Sequence, residues 1–173
     1  MTLTAAAKKI SHARLLEVIR YEPETGAFFW KVATSRKTRV GSVMATRSKA
    51  SRGGVYLQGR IDGRIYRLHR LAWFYMTGSW PANEIDHING DSTDNRWTNL
   101  RDVPRAVNQQ NVRSAKRNSK TGLLGVIPAR GGKFRAAIRV GQQFHHLGHF
   151  DTAEEAHAAY VCAKRRLHEG STV

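Results

Sequence analysis

The chain has 173 residues, enough for one ordinary domain or two small ones, and its 29 Lys and Arg outweigh 13 Asp and Glu to give +16 at neutral pH. Such a charge is silent on fold but selects a polyanionic partner over a membrane or an acidic protein. The pattern adds to this, since no acid occurs from Lys31 to Ile61 or from Val103 to Phe150, a stretch with nine lysines and arginines. The single cysteine, Cys162, excludes an internal disulfide and any zinc site of several thiolates, and the longest apolar run, LAWFYM at 71–76, is too short to span a membrane. No secretory leader is evident, so a reducing interior is the expected setting.

In chain order, Ser11 can cap a helix over 11–20 with Leu15, Leu16, Val18 and Ile19 as its apolar stripe. Residues 21–26 carry turn chemistry and lead into the strand-like AFFWKV. The basic, Ser/Gly-rich stretch 34–54 reads as a loop with little core. GVYLQGRI and RIYRLH flank Asp62-Gly63, a dipeptide suited to a tight primed turn. Leu68 to Met76 is a helix stopped at Gly78. Residues 84–111 read as two short extended pieces and a helix, with Asp102 as its cap and Pro104 in its first turn. RSAKRNSK at 113–120 is a basic linker and the expected domain boundary. Beyond it come three strand patterns and a helix opened by a Thr152/Glu155 capping box, with Ala153, Ala156, Tyr160, Ala163 and Leu167 at helical spacing. Cys162 falls in this alanine-rich pattern and reads as a small core residue.

The chemistry concentrates in EIDHINGDSTDNRWTNLRDVPRAVNQQN. Cutting a phosphodiester takes a base to activate water and an oxygen-ligated cation to bear phosphate charge. The pair Asp86-His87 and the asparagines after it supply candidates for both. Taken one at a time, an Asp-His pair in a turn and an Asn-Gly with nearby acids are ordinary loop composition. A calcium-type loop through Asp86, Asn89, Asp91, Asp94 and Asn95 lacks the closing glutamate and the spacing of a hand-type site. His69, in LHRLAW, reads as a buried or helix-capping histidine, with DNA contact second. His145, His146 and His149 lie on a strand pattern whose alternation puts His146 opposite the other two, and they read as surface or DNA-facing rather than metal-binding.

Asp-His-x-Asn-Gly-Asp-x-x-Asp-Asn-x-x-x-Asn-Leu-Arg followed by a helix with Asn108 and Asn111 resembles the HNH endonucleases, especially those of phages and introns. The resemblance covers about 66–111 and extends loosely upstream through YEPETGAFFW. It implies two strands and a helix clasping one divalent cation. By position, His87 would be the general base, Asp86 and Asn108 the metal ligands, and Asn99 the residue holding the histidine and its loop. Asn108 in place of a third histidine argues for a hard cation, Mg²⁺ or Mn²⁺, over zinc. His69 recurs in such proteins without an implied role.

The unit TGLLGVIPARGGKFRAAIRVGQQFHHLGHFDTAEEAHAAYVCAKRRL resembles the three-stranded DNA-binding domain of plant ethylene-response factors, which is also found appended to phage HNH enzymes. Independently of that, Phe134, Ala136, Ile138 and Val140 alternate with Lys133, Arg135 and Arg139, giving one apolar and one basic face. The plant domains carry arginines where this chain has Leu124, Ile127 and Ala129, so their target sequence is not carried over.

Together these readings predict an α+β protein. A ββα-metal nuclease core with a β-rich N-terminal part occupies 1–112, a basic linker 113–120, and a three-stranded antiparallel sheet packed on one helix 121–173. The expected activity is metal-dependent hydrolysis of double-stranded DNA, one strand per monomer. Lys133, Arg135, Arg139, Arg130, Arg113, Lys116 and Arg117 are expected to hold the duplex. A monomer is expected, with a dimer as the alternative, and neither a membrane nor a small-molecule cofactor is involved. The phage resemblance implies bacterial cytoplasm during infection. Two rivals are a DNA-binding regulator with an inactive HNH scaffold, and a structural RNA-binding protein that fits the charge alone.

Overall fold

A computed structural model of the chain describes residues 9–36, 38–49 and 54–172. The chain forms two compact units, 1–102 and 103–173, each with its own hydrophobic cluster. The stretch 113–120 and the helix before it both fall in the second unit. The organisation is α+β, with several small sheets of few strands.

The first unit opens with α1 (His12–Val18), capped by the Ser11 hydroxyl, which accepts the Arg14 N–H at 3.2 Å. The helix is shorter than its apolar stripe implied. Ile19 turns extended, and from there the spacing switches to period two, with Ile19 and Tyr21 buried and Arg20 exposed in β1 (Ile19–Glu22). β2 (Ala27–Trp30) returns antiparallel, with Ile19 opposite Trp30. Gly26 closes the turn at φ 73°, and a Cβ there would lie 2.5 Å from the Asn95 carbonyl carbon. Only glycine admits both that φ and that approach.

The stretch expected as a loop departs from expectation. Met44 is buried, Val43 bridges Phe29, and β3 (Thr46–Lys49) pairs antiparallel with β4 (Val55–Ile61). β3 is mostly exposed Thr, Arg, Ser and Lys, so no apolar alternation announces it, and the backbone ladder makes the strand. Lys37 and residues 50–53 of this stretch lie outside the described residues. β4 turns into β5 (Arg64–Arg67) through Asp62 and Gly63 at φ 46° and 79°, the positive pair of a primed turn. α2 (Leu68–Thr77) ends at Gly78 in the left-handed region and buries Leu68, His69, Leu71, Ala72 and Phe74. The Phe74 ring stacks on Trp80 with centroids 4.4 Å apart.

β6 (Glu84–His87) and β7 (Leu100–Val103) pair, joined by a loop that ends in a 3-10 turn at Trp97–Asn99. Asp102 does not cap the following helix as expected. Its two carboxylate oxygens accept the backbone N–H groups of Ala82 and Asn83, each at 2.9 Å, and so anchor the chain entering β6.

In the second unit α3 (Arg105–Gln110) takes Pro104 as its N-cap residue, one position earlier than expected, with no side-chain cap. β8 (Val126–Pro128), β9 (Phe134–Val140) and β10 (Gln143–Phe150) form an antiparallel sheet in the order β10-β9-β8. α4 (Ala153–Leu167) carries the expected Thr152/Glu155 capping box. Its small residues let Ala156, Tyr160 and Ala163 lie against Ala136, Ile138 and Val126. Cys162 is exposed, contrary to expectation, whereas Lys164 is buried. Positions 156, 160, 163 and 164 share the sheet-facing stripe and 162 does not. The Lys164 ammonium, desolvated so that its pKa falls, donates to the Val112 carbonyl. Among the described residues no helix is long and apolar enough to cross a membrane.

Candidate active site and nucleic-acid face

The site forms where β6 brings two polar side chains inside. Asp86 and His87 are each only 6% exposed, so both need partners. Arg101, on β7, supplies one, donating from Nε at 2.9 Å and Nη2 at 2.7 Å to Asp86 Oδ2. His87 Nε2 lies 3.2 Å from Asn95 Oδ1. The His87 ring meets the His69 ring edge to face, with centroids 5.2 Å apart, and Tyr56 lies beyond at 6.4 Å.

Burial drives the electrostatics. It pushes the His87 imidazole below the ordinary histidine range, opposed by the Asn95 hydrogen bond and by Asp86, Asp91 and Asp94. His69 is pushed to about 3 by burial, with His87, Arg70 and Arg67 acting in the same direction. Both rings are therefore neutral near pH 7, the form in which an imidazole can accept a proton.

The loop after His87 is pinned by one side chain. Asn99 accepts the Asn89 N–H on Oδ1 and donates from Nδ2 to the Asp94 carbonyl, both at 2.8 Å, while its own carbonyl accepts Ile88 N–H. Asp91 accepts from the Thr93 N–H and hydroxyl. Asp94 accepts from Arg96 and from the Asn89 amide. These bonds lower both carboxyl pKa values, and they fold the loop on itself, the ordinary turn chemistry of Asx residues.

Asp86, His87 and Asn99 thus sit together in the first unit, whereas Asn108 lies half-buried on α3 in the second. Three participants gave little signal in sequence. Arg101 and Asn95 stand inside the quoted motif without an assigned role, and His69, buried on α2 as one of its readings had it, was given no part in the site. For Arg101 the one available signal was unused: a buried acid needs a cation, and an arginine stands one strand away. Nothing local placed His69 against His87, since β4, β5 and α2 must fold first.

The second unit presents a different surface. On the sheet face away from α4, Arg135 stands in register between Ile127 and His149, Ala137 opposite His146, and Arg139 opposite Phe144. Ile127 and Phe144 are 48% and 61% exposed, and the Arg135 guanidinium lies over the Phe144 ring. A β-bulge between His146 and Gly148, with Gly148 at φ 137°, resets the alternation. His146 therefore joins His149, ring centroids 4.8 Å apart, rather than lying opposite it as simple alternation predicted. Of the expected DNA-holding residues, Lys133 is ion-paired with Asp151 at 2.8 Å and Arg139 bonds Gln142. Arg113 bonds the Thr172 carbonyl, Arg130 lies in a 3-10 turn, and Lys116 and Arg117 are in the basic stretch before the sheet.

A protein-family model described as HNH endonuclease matches residues 66–110, which span β5 through α3 and contain Asp86, His87, Asn99 and Asn108. No curated protein and no solved structure matches the chain.

Proposed function

We propose that this protein is a divalent-metal-dependent HNH endonuclease that hydrolyses phosphodiester bonds of double-stranded DNA, of the phage or homing type. The observation that supports this most is a buried, neutral His87 beside a buried Asp86, at the head of a loop clamped by Asn99. In this reading His87 takes the proton from the attacking water, and Asn99 keeps the histidine's loop from moving as the charge shifts.

Asp86 and Asn108 would hold the cation, Mg²⁺ or Mn²⁺, whose charge offsets that on the phosphate and the departing 3′ oxygen. The donor chemistry fits, because carboxylate and amide oxygens are hard ligands. A carboxylate has about four lone-pair sites, so pairing with Arg101 does not by itself exclude Asp86 as a ligand. Among the described residues no group of three His, Cys, Asp or Glu gathers, so water and phosphate oxygens would fill most positions on the ion.

Arg135, Arg139, Lys133, Arg130, Arg113, Lys116 and Arg117 would hold the duplex by phosphate contacts. The Lys133–Asp151 pair is exposed and weak, and yields readily to a phosphate. One site per chain predicts a nick by a monomer, in a reducing interior such as bacterial cytoplasm during phage infection.

Supercoiled plasmid incubated with the protein and Mg²⁺ tests the reading. The expected product is open-circular DNA, with cutting abolished by chelation of the metal. His87→Ala should slow cutting by about 10²-fold or more; cutting at the wild-type rate by that variant would remove His87 from the chemistry. A second reading, a DNA-binding regulator, draws on Asp86 already being paired with Arg101. Tight DNA binding with no cleavage under either Mg²⁺ or Mn²⁺ would favour it.

A further inference from the structure

We infer that Asn95 is a positioning residue that sets the tautomer of His87, holding the proton on Nε2 and leaving the lone pair on Nδ1. The consequence for cleavage rests on the nuclease reading; the geometry does not.

The argument begins with hydrogen-bond inventory. A neutral imidazole has one N–H and one bare nitrogen, and which is which follows from the partner of either. The partner of His87 Nε2 is Asn95 Oδ1, at 3.2 Å. An amide oxygen only accepts, so Nε2 must carry the hydrogen. The orientation of the Asn95 amide is settled by its other end, where Nδ2 donates to the Thr93 carbonyl at 3.3 Å. Flipping the amide would set its oxygen against the Thr93 carbonyl and lose that bond, so the Thr93 contact is what turns Oδ1 toward His87.

Asn95 is also held immobile. It is 1% exposed, and its backbone carbonyl accepts the Tyr21 hydroxyl at 2.7 Å from β1. Gly26, at the tip of the β1–β2 turn, packs on the same peptide so closely that a Cβ would lie 2.6 Å from Arg96 N. The N-terminal hairpin, outside the residues matching the family model, thus braces the residue that orients His87. The His87 ring also packs edge to face against His69, with centroids 5.2 Å apart. A base whose tautomer is already chosen needs no reorganisation when the substrate arrives.

The test uses the full chain. Long-range ¹H–¹⁵N correlation on ¹⁵N-histidine protein near pH 7, without divalent metal, reads the His87 tautomer; the signal is assigned by its loss in His87→Gln. Protonated Nε2 and bare Nδ1 are expected. A predominant Nδ1–H form, or an averaged mixture, overturns the inference whether or not the protein cuts DNA. Cleavage is then compared with DNA affinity measured in Ca²⁺. Asn95→Leu should lower kcat about 10–100-fold, the range for lost orienting partners, with DNA affinity unchanged and a mixture of tautomers. Asn95→Asp, which still accepts from Nε2–H, should keep the tautomer and restore most of the rate. Wild-type kcat in Asn95→Leu would overturn the functional half. If Asn95→Leu does not fold, Tyr21→Phe removes only the hydroxyl that holds Asn95. It should lower kcat several-fold without changing KM, and an unchanged kcat counts against the brace.

Discussion

His69 sits 8% exposed beside another histidine and two arginines, with no hydrogen-bond partner for Nδ1 among the described residues. Unfolded, its imidazole titrates near 6.5, and folded it is pushed to about 3. Between those values the unfolded chain binds the extra proton, so the stability of the first unit falls as pH falls. Each pH unit below the ordinary value costs up to about 1.4 kcal/mol for a fully shifted group. His87 shifts in the same direction and adds to the slope. Trp30, Trp73, Trp80 and Trp97 all lie in the first unit, so tryptophan fluorescence isolates its unfolding. Urea titrations followed this way at pH 7, 6 and 5 should show falling midpoints. His69→Phe, which fills a similar space without a titrating group, should flatten that trend; an equal slope in the variant would mean that His69 does not carry the shift. At this scale the site was half legible. Asp86, His87 and Asn99 announce themselves by residue type and spacing, whereas the Asn95 and His69 contacts need the loop and α2 to be in place.

At the level of elements, the C-terminal module depends on close approach between helix and sheet. Gly125, at φ 79°, precedes β8, and a Cβ there would lie 2.0 Å from the Tyr160 ring of α4. Gly125→Ala combines left-handed strain with overpacking, for a cost of about 2–5 kcal/mol. Thr152→Ala, by removing one half of the capping box, should cost only about 1 kcal/mol. Thermal unfolding followed by far-UV circular dichroism should rank Gly125→Ala well below Thr152→Ala, and the reverse order would contradict the packing described. Elements with a local code were readable before folding: the primed turn at Asp62-Gly63, the Gly78 stop and the α4 cap. β3 and the bulge at His146–Gly148 were not, because an edge strand of polar residues and a one-residue register shift depend on the neighbouring strand.

For the whole molecule the governing quantity is +16 net charge with acid-free stretches. Binding to duplex DNA should therefore weaken steeply with salt. Arg135→Ala and Arg139→Ala should each reduce the slope of log K against log salt by about 1 if each side chain meets a phosphate. Fluorescence anisotropy with a labelled duplex at several salt concentrations measures this, and unchanged slopes would remove the outer face of β9 from the interface. Lys164→Met serves as a control that removes a buried charge away from that face and should leave the slope alone.

By itself the sequence determined the excess of positive charge, the α+β character and the segment that carries the HNH-like motif, since charge, periodicity and motif spacing are properties of the chain. The tertiary structure decided which side chains those residues meet: Arg101 on Asp86, Asn95 and His69 on His87, and His146 beside His149. The reason is physical. A hydrogen bond or ring contact between residues from different elements depends on register, bulges and helix placement, and these are set by burial of the whole core rather than by any local stretch.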